Sequence, residues 1–248
     1  MIVKEIIEIK PFKKDRMLHI YLPDNYDSSN QTYPVLYMYD GHNLYNDSDA
    51  TYGHAWRISD TFTKNNIEMI VVGLECNHEG RERLNEFCPY VCSGHLGDLD
   101  GRGEPLMQWM TTDLKDYIDQ KYRTNGTNYI GGSSMGGLMA YYSCMKYPKV
   151  YQGAACLSSS IGLCMPQLIA DTTKQKGLSK HRFYMSYGTE ETRDKVSLAR
   201  VIRNHMALSD ILQEKGAKVT IDVIVNGKHN EATWEGQVLD FVRYITNG

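Results

Sequence analysis

The chain has 248 residues, 42% hydrophobic and 23% charged, with 27 basic against 30 acidic side chains and a formal net charge of −3. A chain of this length buries roughly 70–75% of the surface it exposes when unfolded, so it needs neither disulfides nor a metal to fold. The charge balance excludes a cationic nucleic-acid footprint, and no run approaches the ~20 consecutive apolar residues of a membrane span.

The first residues, Met-Ile-Val-Lys-Glu-Ile-Ile-Glu, lack the basic start and apolar core of a secretion signal. The six cysteines are scattered, so the expectation is reduced thiols in a cytoplasmic protein. Ile6 to Ile9 and Met17 to Leu22 read as short strands joined by a turn at Pro11, and therefore as an antiparallel N-terminal edge. The runs Pro34 to Tyr39 and Met69 to Leu74 are continuously apolar, as in parallel strands covered on both faces.

Residues Cys76 to Gly103 carry no period, and a loop this long inside a compact domain is usually functional. Cys76, His78, Cys88, Cys92 and His95 fall within it. Their spacing matches no standard Cys-x-x-Cys pairing, so no metal site is expected. Leu106, Met110, Leu114, Tyr117 and Ile118 then follow helical spacing after Pro105.

Tyr129-Ile130 is a short strand, and Leu138 to Tyr147 a helix that stops before Pro148. Ala154 to Leu157 and Arg182 to Tyr187 are strands, and Val196 to Lys215 is a helix stopped by Gly216. Val219 to Val225 alternates as a strand, and a final helix uses Trp234, Val238, Phe241, Val242 and Ile245. The alternation predicts an α/β fold with a mostly parallel central sheet and helices on both faces.

Between strand and helix lies Gly132-Ser133-Ser134-Met135-Gly136, a Gly-x-Ser-x-Gly frame that selects Ser134. Glycines two residues either side of a serine let strand and helix pack closely and lift the hydroxyl above the sheet. The sequence has no Gly-Lys-Ser/Thr ending, so the glycines do not form a phosphate loop. A serine needs a base, and hydrolases of this kind order serine, acid, histidine.

Of the later histidines, His181 stands at the wrong end of its strand and His205 lies inside a helix. His229 follows the strand ending at Val225, on the carboxyl edge where open α/β sheets carry their sites. The acid belongs to the loop Gly188 to Asp194, where spacing alone does not separate Glu190 from Glu191. Asp194 is further along, toward the helix. Two oxyanion donors are needed. The Met135 N–H is one, and the loop Asp40-Gly41-His42-Asn43 supplies the other. There Gly41 lets the backbone approach, with the N–H of His42 or Asn43 as the donor. Asn43, Trp56 and Trp234 are candidate substrate contacts, and Arg81 and Arg83 could meet an acidic substrate. Eighteen tyrosines against five phenylalanines hint at a polar-aromatic pocket.

With these residues placed, the chain resembles the esterase family of α/β-hydrolases. That family includes enterochelin-type siderophore esterases, feruloyl and acetyl-xylan esterases, S-formylglutathione hydrolases and mycolyltransferases. Tyr39-Asp40-Gly41-His42-Asn43-Leu44-Tyr45 is similar to the family's Asp-Gly-Gln-Asn-Leu-Phe segment. Arg83 to Tyr90 resembles its Arg-Leu-x-Glu-Tyr-Thr-Pro stretch, and His229 with Trp234 its Gly-x-His-x-x-x-x-Trp ending. The resemblance implies an acid at the fourth position from Gly188, which favours Glu191. It implies a serine carboxylesterase acting on a small-molecule ester through Ser134, His229 and Glu191, without a cofactor, nucleic acid or membrane partner. Acyl transfer on the same fold and a catalytically silent binding protein are the alternatives. Convergence of the three residues on one sheet edge argues for one domain over residues 1–248.

Overall fold

A computed structural model of the chain describes residues 1–94 and 96–246. His95 of the Cys/His group lies outside the described residues. The N-terminal hairpin pairs β1 (Ile2–Ile9) with β2 (Lys14–Tyr21) antiparallel, and its first strand begins earlier than its apolar core alone indicates. Next come β3 (Tyr33–Tyr39), α1 (Ile58–Lys64) and β4 (Ile70–Leu74). β2 pairs antiparallel with β4, and β4 pairs parallel with β3.

The aperiodic stretch from Cys76 to Gly103 is not a bare loop. It holds a short helix, α2 (Glu82–Glu86), and a small hairpin of β5 (Cys92–Gly94) and β6 (Gly97–Leu99). Glu86 ties it down, accepting from the Arg16 guanidinium of β2 (3.2 Å) and from the Asn77 amide (3.0 Å), all three residues being buried.

A helical segment follows, α3 (Gly103–Trp109) running through one wide π-type turn at Met110–Leu114 into α4 (Lys115–Lys121). Then come β7 (Thr124–Ser133), α5 (Met135–Lys146), β8 (Tyr151–Leu157), α6 (Met165–Lys174) and β9 (Arg182–Gly188). The chain continues with α7 (Lys195–Glu214), β10 (Lys218–Ile224), α8 (Glu231–Glu235) and α9 (Val238–Thr246). The last two divide at Gly236-Gln237, so the C-terminal periodicity belongs to two helices rather than one.

Eight strands form one sheet in the order β1-β2-β4-β3-β7-β8-β9-β10. From β4 to β10 every neighbouring pair is parallel. The period-2 alternation of a strand sends successive side chains to opposite faces, and here both faces are covered. Val35, Tyr37 and Tyr39 of β3 join the core under α3 to α7, while Leu36 and Met38 join the core under α1 and α9. Buried on both sides, such a strand reads as an unbroken apolar run.

Helices α1 and α6 carry weak signals because each is short and rich in β-branched residues such as Ile58, Thr61, Thr63, Ile169, Thr172 and Thr173, which lower helix propensity. No helix among the described residues is long and apolar enough to cross a membrane.

Candidate active site

Six loops leave the carboxyl ends of parallel strands and meet above the sheet. They follow β3 (Asp40–Asn43), β4 (Glu75–His78), β7 (Ser134), β8 (Ser158–Ser160), β9 (Thr189–Glu191) and β10 (Val225–His229).

Ser134 is the single residue between β7 and α5, with φ 57° and ψ −119°. This is a strained conformation for a residue with a Cβ, the kind stored at functional sites. The flanking glycines permit it. A Cβ on Gly132 would come within 2.8 Å of the Gly136 carbonyl carbon, and one on Gly136 within 2.9 Å of the Tyr39 Cβ. The Met135 N–H, first in α5, is among the helix-initial donors without an intrahelical acceptor.

His229 Nδ1 lies 2.8 Å from Glu191 Oε2. The Glu191 side chain is fully buried, and its Oε1 accepts from the Gly188 N–H (2.7 Å) and from the Ser158 hydroxyl (2.6 Å). Ser158 Oγ in turn accepts from the Trp234 indole N–H at 2.7 Å. The Trp234 ring stands edge-on to the His229 ring, with centroids 5.1 Å apart at 84°. Glu190 points away, its carboxylate 3.8 Å from Lys228 and half exposed. Asp194 caps α7, accepting from the Ser197 N–H. His181 bonds the Pro148 carbonyl, and His205 packs within α7 against Ser159. Neither lines the cleft around Ser134.

In the loop after β3, Asp40 adopts a left-handed conformation and Gly41–Asn43 form a single 3₁₀ turn. Gly41 lies directly on Gly73 of β4, and a Cβ would sit 2.4 Å from its carbonyl carbon. The Asn43 N–H is spent on the Asp40 carbonyl (2.9 Å), which leaves the Gly41–His42 backbone as the available donor segment. The Asn43 side chain holds the loop, accepting from the Thr51 N–H.

Arg83 grips Asp40 with two 2.7 Å bonds. Burial works to raise the Asp40 carboxyl, and the guanidinium outweighs it, holding the acid below its usual range. His42 Nε2 meets Thr51 Oγ1 at 2.9 Å, its Nδ1 is buried without a partner, and burial lowers its pKa, so the ring is neutral near pH 7. Glu231, at the start of α8, is 4% exposed, and burial raises its carboxyl.

The cleft has two lobes meeting at Ser134, Arg83 and His229. One, of about 350 Å³, is walled by polar groups including His42, Asn43, His78 and Glu231, and by Trp234. The other, of about 380 Å³, is walled by Leu84, Leu96, Leu163 and Tyr187 together with Met135 and Ser158. Trp56 is not on either wall. It stands behind Trp234, with ring centroids 5.7 Å apart, and is 3% exposed. The tyrosines mostly go elsewhere too: Tyr33, Tyr37, Tyr39, Tyr141, Tyr151 and Tyr184 are core residues.

Sequence reasoning missed Ser158, Glu231 and the Asp40–Arg83 pair. Nothing local in Leu157-Ser158-Ser159-Ser160 sets one serine apart, although the position just past a parallel strand could have drawn attention to it. The five-residue Cys/His group separates into two. His42, Cys76 and His78 come together beside the polar lobe, whereas Cys88 and Cys92 meet Cys164.

Sheet order and the position of these loops define an α/β-hydrolase fold. Residues 9–245 match the Esterase family model, described as "Putative esterase", and the chain belongs to that family. It is 24% identical over 212 residues to uncharacterized protein YbbA of Bacillus subtilis, covering 82% of this chain and 80% of that one. An IroE-like serine hydrolase from Shewanella oneidensis superposes with a TM-score of 0.76 at 18% identity, over 98% of this chain and 79% of the other. Siderophore hydrolase EstA from Aspergillus nidulans does so with 0.72 at 16% identity, over 96% and 93%.

Proposed function

We propose that the chain is a serine carboxylesterase that cleaves a small-molecule ester through an acyl-enzyme. The observation that carries this reading is the buried Glu191 carboxylate 2.8 Å from His229 Nδ1, beside a serine held on a strained turn in the same cleft. Glu191 holds the Nδ1–H tautomer, which leaves Nε2 free to take the Ser134 proton as Oγ attacks the ester carbonyl. The Met135 N–H and an N–H of the Gly41–His42 segment receive the developing oxyanion. His229 then returns the proton to the leaving alcohol and activates the water that releases the acid.

The two lobes take the two halves of the ester. The lobe with His42, Asn43, His78 and Glu231 suits a hydrogen-bonding, polyhydroxylated half, and the lobe with Leu84, Leu96 and Leu163 suits an apolar or aromatic half. Siderophore-type and phenolic esters both have this two-sided character.

The test is Ser134→Ala with p-nitrophenyl esters of graded acyl length. We expect kcat/KM to fall at least about 10⁴-fold with the fold intact by circular dichroism. A fluorophosphonate should label the parent chain on Ser134 and leave the variant unlabelled. Hydrolysis at the parental rate in the variant would reject the assignment.

A further inference from the structure

Three cysteines from two distant stretches of chain converge beside the second lobe of the cleft. Cys88 follows α2, Cys92 lies in β5, and Cys164 sits at the start of α6. Their sulfurs form a nearly equilateral triangle: Cys88–Cys92 3.6 Å, Cys88–Cys164 3.7 Å, Cys92–Cys164 3.8 Å. Cys88 and Cys164 are fully buried, and Cys92 is partly exposed, giving solvent one path in.

Zinc–thiolate bonds are about 2.3 Å long, and a tetrahedron with that arm has an edge of about 3.8 Å. The triangle therefore matches one face of a tetrahedral thiolate site, with the fourth corner open to water or another donor. Soft sulfur ligands in tetrahedral array select thiophilic cations of the zinc type over oxygen-seeking ones.

The neighbouring His42, Cys76 and His78 group is a poorer candidate. It offers a single sulfur beside two imidazole nitrogens, a less thiophilic donor set than three sulfurs. Among the described residues no carboxylate lies on any of the three sulfurs of the other group, and Cys88 Sγ also contacts the Tyr90 carbonyl at 3.2 Å.

We propose that Cys88, Cys92 and Cys164 form a binding site for a single thiophilic divalent cation of the zinc class. The site lies apart from the residues proposed for the ester chemistry. It clamps β5 to the segment ahead of α6, and so joins the Leu96 and Leu163 walls of the cleft. This inference is independent of the esterase reading.

The test is anaerobic titration of the full-length, reduced, metal-free chain with cobalt(II), read by absorption and by elemental analysis. One equivalent should give thiolate-to-cobalt charge-transfer bands with the visible bands of a tetrahedral centre, and zinc(II) should displace it. Cys92→Ser, at the partly exposed corner, and Cys164→Ser should each weaken binding by more than the ~10–100-fold that an outer-shell partner contributes. Cys76→Ser should leave the bands unchanged. Circular dichroism of Cys92→Ser separates loss of the site from loss of the fold. The proposal is overturned if saturating cobalt gives no charge-transfer band. It is equally overturned if the bands survive Cys92→Ser and Cys164→Ser but vanish in Cys76→Ser. A Cys88–Cys92 disulfide persisting in the reduced chain, found by mass spectrometry, would also end it.

Discussion

Glu191 uses both carboxylate oxygens, one on His229 and the other on Ser158 and the Gly188 N–H. An amide in its place presents a donor to one of these partners and loses the charge that steadies an imidazolium. If Glu191 is the acid of the proposed triad, Glu191→Gln should lower kcat/KM by roughly 10³- to 10⁴-fold. Glu190→Gln, whose side chain is half exposed, should stay within about twofold of the parent, as surface changes usually do. Steady-state kinetics on one p-nitrophenyl ester checks both.

Ser158 links the Trp234 indole to the Glu191 carboxylate, and in the proposed mechanism it acts as a positioning residue. A hydrogen bond to a charged group is worth about 1.5–3 kcal/mol. Ser158→Ala should therefore cost roughly 10- to 100-fold in kcat with KM little changed. A rise in KM with kcat preserved would instead place Ser158 among the substrate contacts.

The loop after β3, which the proposed mechanism gives the oxyanion side, is held by a charge pair. Asp40 is 6% exposed, while Arg83 keeps 28% of its side chain in solvent. Breaking a buried pair costs about 3–5 kcal/mol, and Arg83's exposure puts Asp40→Asn at the lower end or below it.

The pH dependence follows from the lowered Asp40 pKa. A carboxyl whose folded pKa lies below its unfolded value contributes stability above the unfolded value. That contribution is lost as pH falls through the folded one. The parent should therefore lose stability below about pH 4, the ordinary aspartate range, and Asp40→Asn should flatten that acid limb. Urea midpoints measured from pH 7 down to 3 decide it. Sequence pattern located the Asp40–Asn43 loop after an apolar strand. The pairing with Arg83, 43 positions away, depends on how the stretch after β4 folds back, and no local rule specifies that.

At the scale of the whole molecule, the sheet is covered unequally. The face under α1 and α9 is sealed by few helices, and Phe241 of α9 is fully buried there against Tyr184. Phe241→Ala should destabilise the fold by about 3–5 kcal/mol through lost transfer energy and the cavity left behind. Equilibrium urea unfolding measures this loss. The parallel order of the central strands was legible because strands buried on both faces become unbroken apolar runs, as in Pro34 to Tyr39 and Met69 to Leu74. The short helices α1 and α6 were not legible, since tertiary burial rather than propensity holds them.

Local pattern was enough to read the strand–turn–helix around Ser134 and the α/β class, and to propose Ser134, an acid and His229 in that chain order. These follow from local sterics and periodicity, which a window of a few residues contains. Spacing left Glu190 and Glu191 open, and the family resemblance favoured Glu191. The folded chain adds the 2.8 Å approach of Glu191 to His229, puts Trp56 behind Trp234, sets Ser158 between Trp234 and Glu191, and brings Cys164 to Cys88 and Cys92. Each of these is a contact between loops far apart in the chain. Whether such loops meet is decided by strand order in the sheet, because packing the two cores sets that order and no single segment encodes it.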